Sequence, residues 1–158
     1  MTDRANIFTP APLTGSSEVL ELDLLVMPQA SLLTLGSVID PLRAANRHLG
    51  RQAFRWRIVS VDGGPVALTC GIHLPADCAL PATQGAVLLV LAGYGAPEMA
   101  RRGLLHDLRH AATRARTLMT VDSGAWLLAA TGLLDGCRVT THWEDLEDFA
   151  AAFPEVTL

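Results

Sequence analysis

The stretch of residues 118–129 constrains the fold more than any other part of the chain. It begins as an apolar strand, is interrupted by the polar pair Asp122 and Ser123, and restarts at Gly124 as a run of small and apolar residues. A strand that turns sharply into a helix lifts the side chain at the turn above the carboxyl end of a sheet, beside the first free N–H groups of that helix. We therefore predict an elbow that presents Asp122.

An acid at this elbow favours binding over covalent catalysis, because a carboxylate is a poor nucleophile for acyl transfer compared with an activated Ser or Cys. A carboxylate in a partly dry pocket also attracts a cation strongly. Asp122 has an equally good structural interpretation as a cap for the helix that follows it. The sequence leaves both roles open.

The rest of the chain alternates strands with helices. An apolar run at 22–27, interrupted only by Asp23, and a continuous one at 86–91 predict two buried strands. Helical spacing predicts a helix that starts near residue 32 and is broken near Asp40, and an amphipathic crossover helix over 97–115. Such alternation is typical of an α/β domain with a mostly parallel sheet flanked by helices, in which ligands bind at the carboxyl ends of the strands.

Shorter elements complete the predicted fold. A strand over 55–61 is followed by two short strands, 66–69 and 72–74, which predict a small β excursion at the sheet edge. Beyond the elbow helix, we expect a short strand over 138–140. The capping-box pattern at 141–144 then opens a last helix.

Composition narrows the class of protein. Half of the residues are hydrophobic, only 18% are charged, and the formal net charge is −4. This balance favours a compact domain and disfavours direct contact with a nucleic-acid backbone. No apolar run approaches the ~20 residues of a membrane span, and the first twenty residues lack the pattern of a secretory signal. We expect a cytoplasmic protein that contacts no membrane.

Cysteine usage agrees with a reducing compartment. Cys70, Cys78 and Cys137 form an odd set without C-x-x-C spacing, and no Cys/His cluster matches a zinc site. We predict no metal and no cofactor, and we expect Cys70 and Cys78 to be small buried hydrophobic residues. Residues 1–20 predict a flexible leader, and residues 21–158 predict one domain.

Five motifs, taken together and in order, resemble the PfpI-like branch of the class I glutamine amidotransferase-like superfamily. More narrowly, the chain is similar to the amino-terminal domain of GlxA-type regulators of the AraC family. The resemblance implies a flavodoxin-like α/β fold and extends from about residue 23 to residue 154. The motifs are PLRAAN (41–46), AGYG (92–95), VDSGAWLLA (121–129), GLLDG (132–136) and TTHW (140–143).

Against the enzymes of that superfamily, the resemblance implies a degenerate active site. Asp122 stands where those enzymes carry the nucleophilic cysteine, His142 matches their histidine, and Thr34 replaces the acid of their first helix. Loss of the nucleophile removes the covalent step. We therefore predict that the domain is not an enzyme.

In GlxA-type regulators, a domain of this kind is an effector sensor that dimerises and is joined to a carboxyl-terminal pair of helix-turn-helix motifs that bind DNA. The resemblance thus implies a homodimer that reaches DNA only through a domain absent from this chain. The superfamily fold also needs a further strand and helix after Phe153. Residues 155–158 are therefore interpreted as the start of a strand that is cut off, and the chain as truncated at its carboxyl terminus.

We expect a small effector, such as an amine, an amino acid or a quaternary ammonium compound, to bind at one site. Asp122 would hold its cationic head, and aromatic side chains would wall the pocket with cation–π contacts. N–H groups near Gly93 would take a ligand carboxylate. The candidate ligand-binding residues are Gly93, Tyr94, Asp122, Ser123, Trp126 and His142, with Trp143 as a further aromatic wall.

Several of these residues also have structural interpretations. His142 can complete a capping turn, Gly93 can serve close packing, and Trp126 is more typical of a core. Arg43 and Asn46 suit structural or dimer contacts on a helix or a solvated helix face. Two other functions remain open: a hydrolase, amidase or glyoxalase-type enzyme that uses Asp122 or Ser123 with His142, and a domain that only dimerises. A solvated helix face is the preferred role of Arg101, Arg102, Arg114 and Arg116.

Overall fold

A five-stranded parallel sheet forms the centre of the molecule in the computed structural model, which describes residues 18–158. Its strand order is β5-β2-β1-β6-β7, and a separate antiparallel pair, β3–β4, lies outside it. The predicted mostly parallel α/β fold is confirmed. The strands are Leu20–Val26 (β1), Phe54–Ser60 (β2), Val66–Ala67 (β3), His73–Leu74 (β4), Cys78–Ala79 (β5), Val87–Ala92 (β6) and Thr117–Asp122 (β7).

Five α-helices accompany these strands, and the last two follow β7. They are Leu32–Leu49 (α1), Ala96–Met99 (α2), Arg102–Arg114 (α3), Gly124–Ala130 (α4) and Leu146–Ala152 (α5), with 3-10 turns at Leu80–Ala82 and Trp143–Asp145. Within residues 18–158, every helix falls short of the length and apolarity needed to span a bilayer. Most of the predicted leader, residues 1–17, lies outside the described residues. Its predicted end at residue 20 overlaps β1, which already begins at Leu20.

The sheet has a hydrophobic layer on each face. On one face, α1 and the β3–β4 pair cover Leu24, Val26 and Leu89. On the other face, Leu108 of α3, Leu127 of α4 and Phe149 of α5 belong to a second cluster. The alternation along β1 explains this division, since successive side chains of a strand point to opposite faces. A helix layer on both faces is the arrangement that a buried parallel sheet requires.

An ion pair between the buried carboxylate of Asp23 and the partly exposed Arg57 joins β1 to β2 away from the elbow. Asp23 is 1% exposed, and its Oδ1 accepts a hydrogen bond of 2.8 Å from Nε of Arg57. Its Oδ2 accepts from the N–H groups of Gln84 and Gly85, just before β6. Burial lowers the pKa of Arg57, but the hydrogen bond and the charge of Asp23 outweigh it, so that pKa is raised. Both oxygens of the Asp23 carboxylate thus accept hydrogen bonds from groups within the protein.

Helix α1 is continuous, so the predicted break near Asp40 is wrong. Pro41 lies inside the helix and cannot bond to the carbonyl of Ser37. Ser37 is exposed, so water can hydrate that carbonyl, and Asp40 pairs with Arg43 instead of capping a new helix. Asn46 fastens the other end of α1 by bonding to the backbone of β2, which makes its role structural.

The predicted crossover helix over 97–115 is instead two helices. Between α2 and α3, Arg101 adopts an extended conformation with ψ of 154°. Ala96 of α2 is fully buried, whereas α3 buries Leu104 and Leu108 in the same cluster. The break lets the chain change direction between these two packing positions.

Three smaller predictions are also corrected. Residues 138–140 form no strand, because Arg138 makes only an isolated parallel bridge to Thr157. The last helix is preceded by a 3-10 turn whose cap is His142, and the Oγ1 of Thr141 has no hydrogen-bond partner. Cys70 is exposed in the turn between β3 and β4, whereas Cys78 is partly buried in β5.

Candidate functional site

The elbow forms where it was predicted, and its backbone is unusual. Asp122 ends β7 with a φ of 60°, in the left-handed region that Asp tolerates better than most side chains. Gly124 follows because a Cβ atom there would overlap the carbonyl oxygen of Val90 in β6. The N–H of Ser123 donates to the carbonyl of Ala92, 3.2 Å away. These contacts press the start of α4 against β6 and fix the direction in which Asp122 leaves the backbone.

A second tight approach joins the loops after β1 and β6. A Cβ atom on Gly93 would lie 2.5 Å from the carbonyl oxygen of Gln29, so only glycine fits. Gln29 itself has a φ of 61°. Within residues 18–158, Gln29 and Asp122 are the two non-glycine residues with positive φ, and both border the same cleft. Strained backbone of this kind tends to concentrate at functional sites.

That cleft has a volume of about 410 Å³ and lies at the carboxyl ends of the strands, where parallel sheets bind ligands. It brings together five of the six candidate residues: Gly93, Tyr94, Asp122, Ser123 and His142. Thr34, which the resemblance predicts in the position of the family acid, also borders it. The remaining lining residues are Gln29, Ser31, Thr69, Gly95, Pro97, Glu144 and Asp145.

Trp126, the sixth candidate, is not a wall of the cleft. It is 9% exposed and packs edge-on against Phe149 and Phe153 of the segment that carries α5. The structural interpretation of this side chain is therefore the one that the packing supports. Its indole still approaches the site, because Nε1 donates a hydrogen bond of 3.1 Å to Asp145.

Asp145 is a site residue that the sequence interpretation missed. Its Oδ2 accepts from Oγ of Ser123 at 2.6 Å as well as from the indole of Trp126. The predicted capping box ends at Glu144, so it did not include Asp145, the acid that follows. A usable signal was the position of Asp145 three residues after His142 in an acid-rich turn.

His142 has the capping role that was predicted for it, and it also borders the cleft, where its contact with a ligand stays a prediction. Its Nδ1 accepts a hydrogen bond from the N–H of Glu144, which completes the capping turn, and the ring borders the cleft. The carboxylate of Glu144 lies 3.7 Å from the same nitrogen. No hydrogen bond joins His142 to Asp122 or to Ser123 among the contacts of residues 18–158, so these residues do not form a catalytic relay in this arrangement.

The charge of the cleft is one-sided. Asp122, Glu144 and Asp145 contribute carboxylates, and no Lys or Arg borders the cleft in the part of the chain that the structure describes. The facing wall carries neutral polar side chains at the amino end of α1, where Oγ of Ser31 caps the N–H of Thr34. An acidic wall opposite the positive end of a helix dipole suits a ligand with a cationic end.

No group of three or more His, Cys, Asp or Glu side chains in residues 18–158 is arranged to hold a metal ion.

Comparison with known proteins identifies the relatives of this fold and site. The DJ-1/PfpI family profile matches residues 33–155. The HTH-type transcriptional regulator CdhR of Pseudomonas aeruginosa is 36% identical over 135 residues, which are 85% of this chain and 40% of CdhR. The HTH-type transcriptional regulator GlxA of Rhizobium meliloti is 31% identical over 147 residues, which are 90% of this chain and 45% of GlxA. The chain thus spans less than half the length of these two relatives.

A solved structure shares the architecture. The AraC family transcriptional regulator from Pseudomonas putida superposes with a TM-score of 0.72 at 24% identity, over 87% of this chain and 75% of that one. At this identity the likeness demonstrates the fold alone. With the sequence matches, it confirms the resemblance to PfpI-like domains of GlxA-type regulators.

Proposed function

Because the chain belongs to the DJ-1/PfpI family, we propose that its cleft is the effector site of an AraC-type transcriptional regulator and carries out no catalysis. The names of CdhR and GlxA, both HTH-type transcriptional regulators, support this proposal for the region they share with the chain. In this function, the ligand shifts the equilibrium between two arrangements of the protein, and a separate helix-turn-helix domain contacts DNA.

The observation that carries the proposal is the acid on the elbow. Asp122 replaces a nucleophile on a backbone that still has the strained geometry of a presenting turn. It projects into a cleft that contains two further carboxylates, Glu144 and Asp145, and no basic side chain among the described residues. Binding a cation offsets the repulsion between these carboxylates, so the site favours an amine, an amino acid or a quaternary ammonium compound.

Aromatic side chains near the cleft strengthen this assignment. Tyr94 borders the cleft and is 75% exposed, and Trp143, between two lining residues, is 72% exposed. A cationic head beside such rings gains cation–π attraction. The opposite wall, at Ser31 and Thr34 on the amino end of α1, suits the carboxylate of a zwitterion. The proposed contact residues are therefore Gly93, Tyr94, Asp122, Ser123 and His142, with Trp126 supporting them from below.

The proposed assembly follows from the same relatives. We assign the regulator to the cytoplasm, and we propose that two copies of the domain pair as a homodimer. Because this chain has a formal net charge of −4, we propose that the separate DNA-binding domain makes the contacts with DNA phosphates.

A thermal-shift screen of the 158-residue chain against amino acids, betaines, carnitine-like compounds and polyamines tests the proposal. A ligand at a hundred times its Kd adds ~2.7 kcal/mol of stability, which melting curves resolve. We expect Asp122→Asn to abolish the shift. The matched control, Asp135→Asn, makes the same chemical change at an exposed acid outside the cleft and should leave it intact.

Turnover of an amide, ester or dicarbonyl substrate that disappears in His142→Ala would contradict the proposal and establish the enzyme alternative. The present geometry gives that alternative little support, because the Ser123 hydroxyl donates to Asp145 and not to His142. A screen without any ligand, together with unchanged DNA binding of a longer protein, would favour a domain that only dimerises.

A further inference from the structure

The surface charge of one helix layer is strongly divided. All twelve basic residues of the chain counted as Lys or Arg are arginines, and five of them fall within residues 101–116, with Asp107 as the single acid of that stretch. Arg101 and Arg102 at the start of α3 are exposed and take part in none of the ion pairs of the described residues. Since Arg109 and Arg114 donate to the carbonyls of Thr131 and Thr83, the exposed basic charge lies at the two ends of α3, on Arg101, Arg102 and Arg116.

The acidic counterpart lies on α5 and the turn before it. Residues 144–155 contain five acids and no arginine. Glu147 and Asp148 are exposed on α5, beside Leu146, which is 39% exposed. Of the seven residues of α5, only Phe149 is buried. This helix thus presents an acidic, partly apolar face that no other part of residues 18–158 covers.

These two surfaces flank α4 on the same face of the sheet. On one side, Nε of Arg109 in α3 donates to the carbonyl of Thr131, directly after α4. On the other side, Trp126 of α4 packs against Phe149 of α5. From one edge to the other, the layer therefore consists of basic α3, buried α4 and acidic α5.

We propose that this layer is the homodimer surface, with α3 of one copy docked on α5 of the second copy and the reverse. This inference deepens the pairing proposed above and rests on it. A twofold axis parallel to α4 and lying in the interface superposes the basic edge of each copy on the acidic edge of the other. Such a self-complementary arrangement is what an isologous dimer requires. Leu146 is buried in the contact, and the opposite charges set its register.

A second copy fits these surfaces better than a nucleic acid does. A polyanion would satisfy α3, but it would be repelled by α5 on the same face and by the net charge of −4. A second copy neutralises both surfaces at once.

Sedimentation of the 158-residue chain, with charge-reversal variants, tests the inference. We expect the dimer Kd to rise at least about tenfold between ~50 and ~500 mM NaCl. The variant Arg101→Glu/Arg102→Glu leaves residues 101–116 without net charge, and Glu147→Arg/Asp148→Arg reduces the net charge of residues 144–155 from −5 to −1, so each variant alone should pair much more weakly than the unaltered chain. Mixed in equal amounts, the two variants should pair with each other, because residues 101 and 102 of each copy then again face residues 147 and 148 of opposite charge.

Arg47→Glu, an exposed substitution on the other face of the sheet, is the matched control and should leave the dimer intact. A chain that is monomeric in low salt, a dimer that both variants retain, or a dimer that only Arg47→Glu breaks would overturn the inference. Since the four reversed residues lie outside the cleft, the variants should keep the ligand-induced thermal shift. Loss of pairing without loss of that shift separates this inference from the proposed function.

Discussion

Ser123 donates a hydrogen bond of 2.6 Å to Oδ2 of Asp145, and the indole of Trp126 donates to the same oxygen. One carboxylate atom thereby joins the elbow, helix α4 and the turn that carries His142. The wall of the cleft is held in place by this single acceptor, because the turn is otherwise tied to the elbow by packing alone in the described contacts. The position of the binding groups thus depends on a residue that is itself partly buried.

Removal of this acceptor should destabilise the protein. Asp145→Ala leaves the hydroxyl of Ser123 and the indole N–H of Trp126 without a partner, and we expect a loss of about 2–4 kcal/mol in the free energy of unfolding. Chemical denaturation measures it. Glu144→Ala, at the exposed neighbour, should change stability by no more than about 0.5 kcal/mol. Equal effects of the two substitutions would show that the shared acceptor does not hold the turn.

The backbone at the elbow should select which side chains residue 122 accepts. With a φ of 60°, Asp122→Asn should keep the stability of the protein, and Asp122→Gly should match or exceed it. Asp122→Val should lose at least about 1–2 kcal/mol, because a β-branched side chain clashes in this region. Thermal melting of the three variants without ligand measures the difference. A valine variant as stable as the asparagine variant would show that the elbow relaxes.

Substitution by alanine should have opposite effects on stability at two glycines, because Gly124 is closely packed at the elbow and Gly36 in α1 is not. Gly124→Ala places a methyl group against the carbonyl of Val90 and should cost about 2–3 kcal/mol. Gly36→Ala, within α1, meets nothing within 4 Å and should gain about 0.5–1 kcal/mol from helix propensity. Urea denaturation of the pair measures both signs. Stabilisation by both substitutions would contradict the described approach of α4 to β6.

The cysteines should differ in reactivity and in their effect on stability at high pH. Burial raises the pKa of the Cys78 thiol, so iodoacetamide at neutral pH should label the exposed Cys70 first, as mass spectrometry can follow. The unfolded chain releases the Cys78 proton at a lower pH than the folded protein does. The stability that Cys78 contributes is therefore complete below the unfolded pKa and is lost as the pH rises through the folded pKa. Cys78→Ala should flatten the fall in stability between pH ~7 and ~10, and an unchanged slope would contradict this assignment.

The parts of the fold that local pattern encodes could be predicted from the sequence. The strands β1, β6 and β7, the elbow at Asp122 and the excursion of β3–β4 each follow from apolar runs, turn residues and spacing. The break predicted near Asp40 is wrong because the single hydrogen bond that Pro41 cannot make is tolerated on an exposed helix face. The split between α2 and α3 depends on packing between distant segments, which spacing along one helix does not reveal.

Some residues of the candidate site could likewise be predicted from the sequence, and others could not. Asp122, Ser123, Gly93, Tyr94 and His142 converge because the ends of parallel strands meet at one edge, which is a property of the topology. Asp145 could not be assigned in this manner, since its partners lie 22 and 19 residues away in the chain. Trp126 was placed on the correct helix, but the direction of its ring is set by Phe149 and Phe153.

A side chain at position 124 would overlap the carbonyl of Val90. The course of the main chain through the elbow is therefore fixed by Gly124 and not by the side chain of residue 122. The occupant of position 122 can therefore change its chemistry while the backbone stays where it is. In the enzymes that this chain resembles, a cysteine occupies this position, whereas here it is occupied by Asp122. The same fold can therefore carry a nucleophile or a carboxylate at position 122 without a change in the course of its main chain.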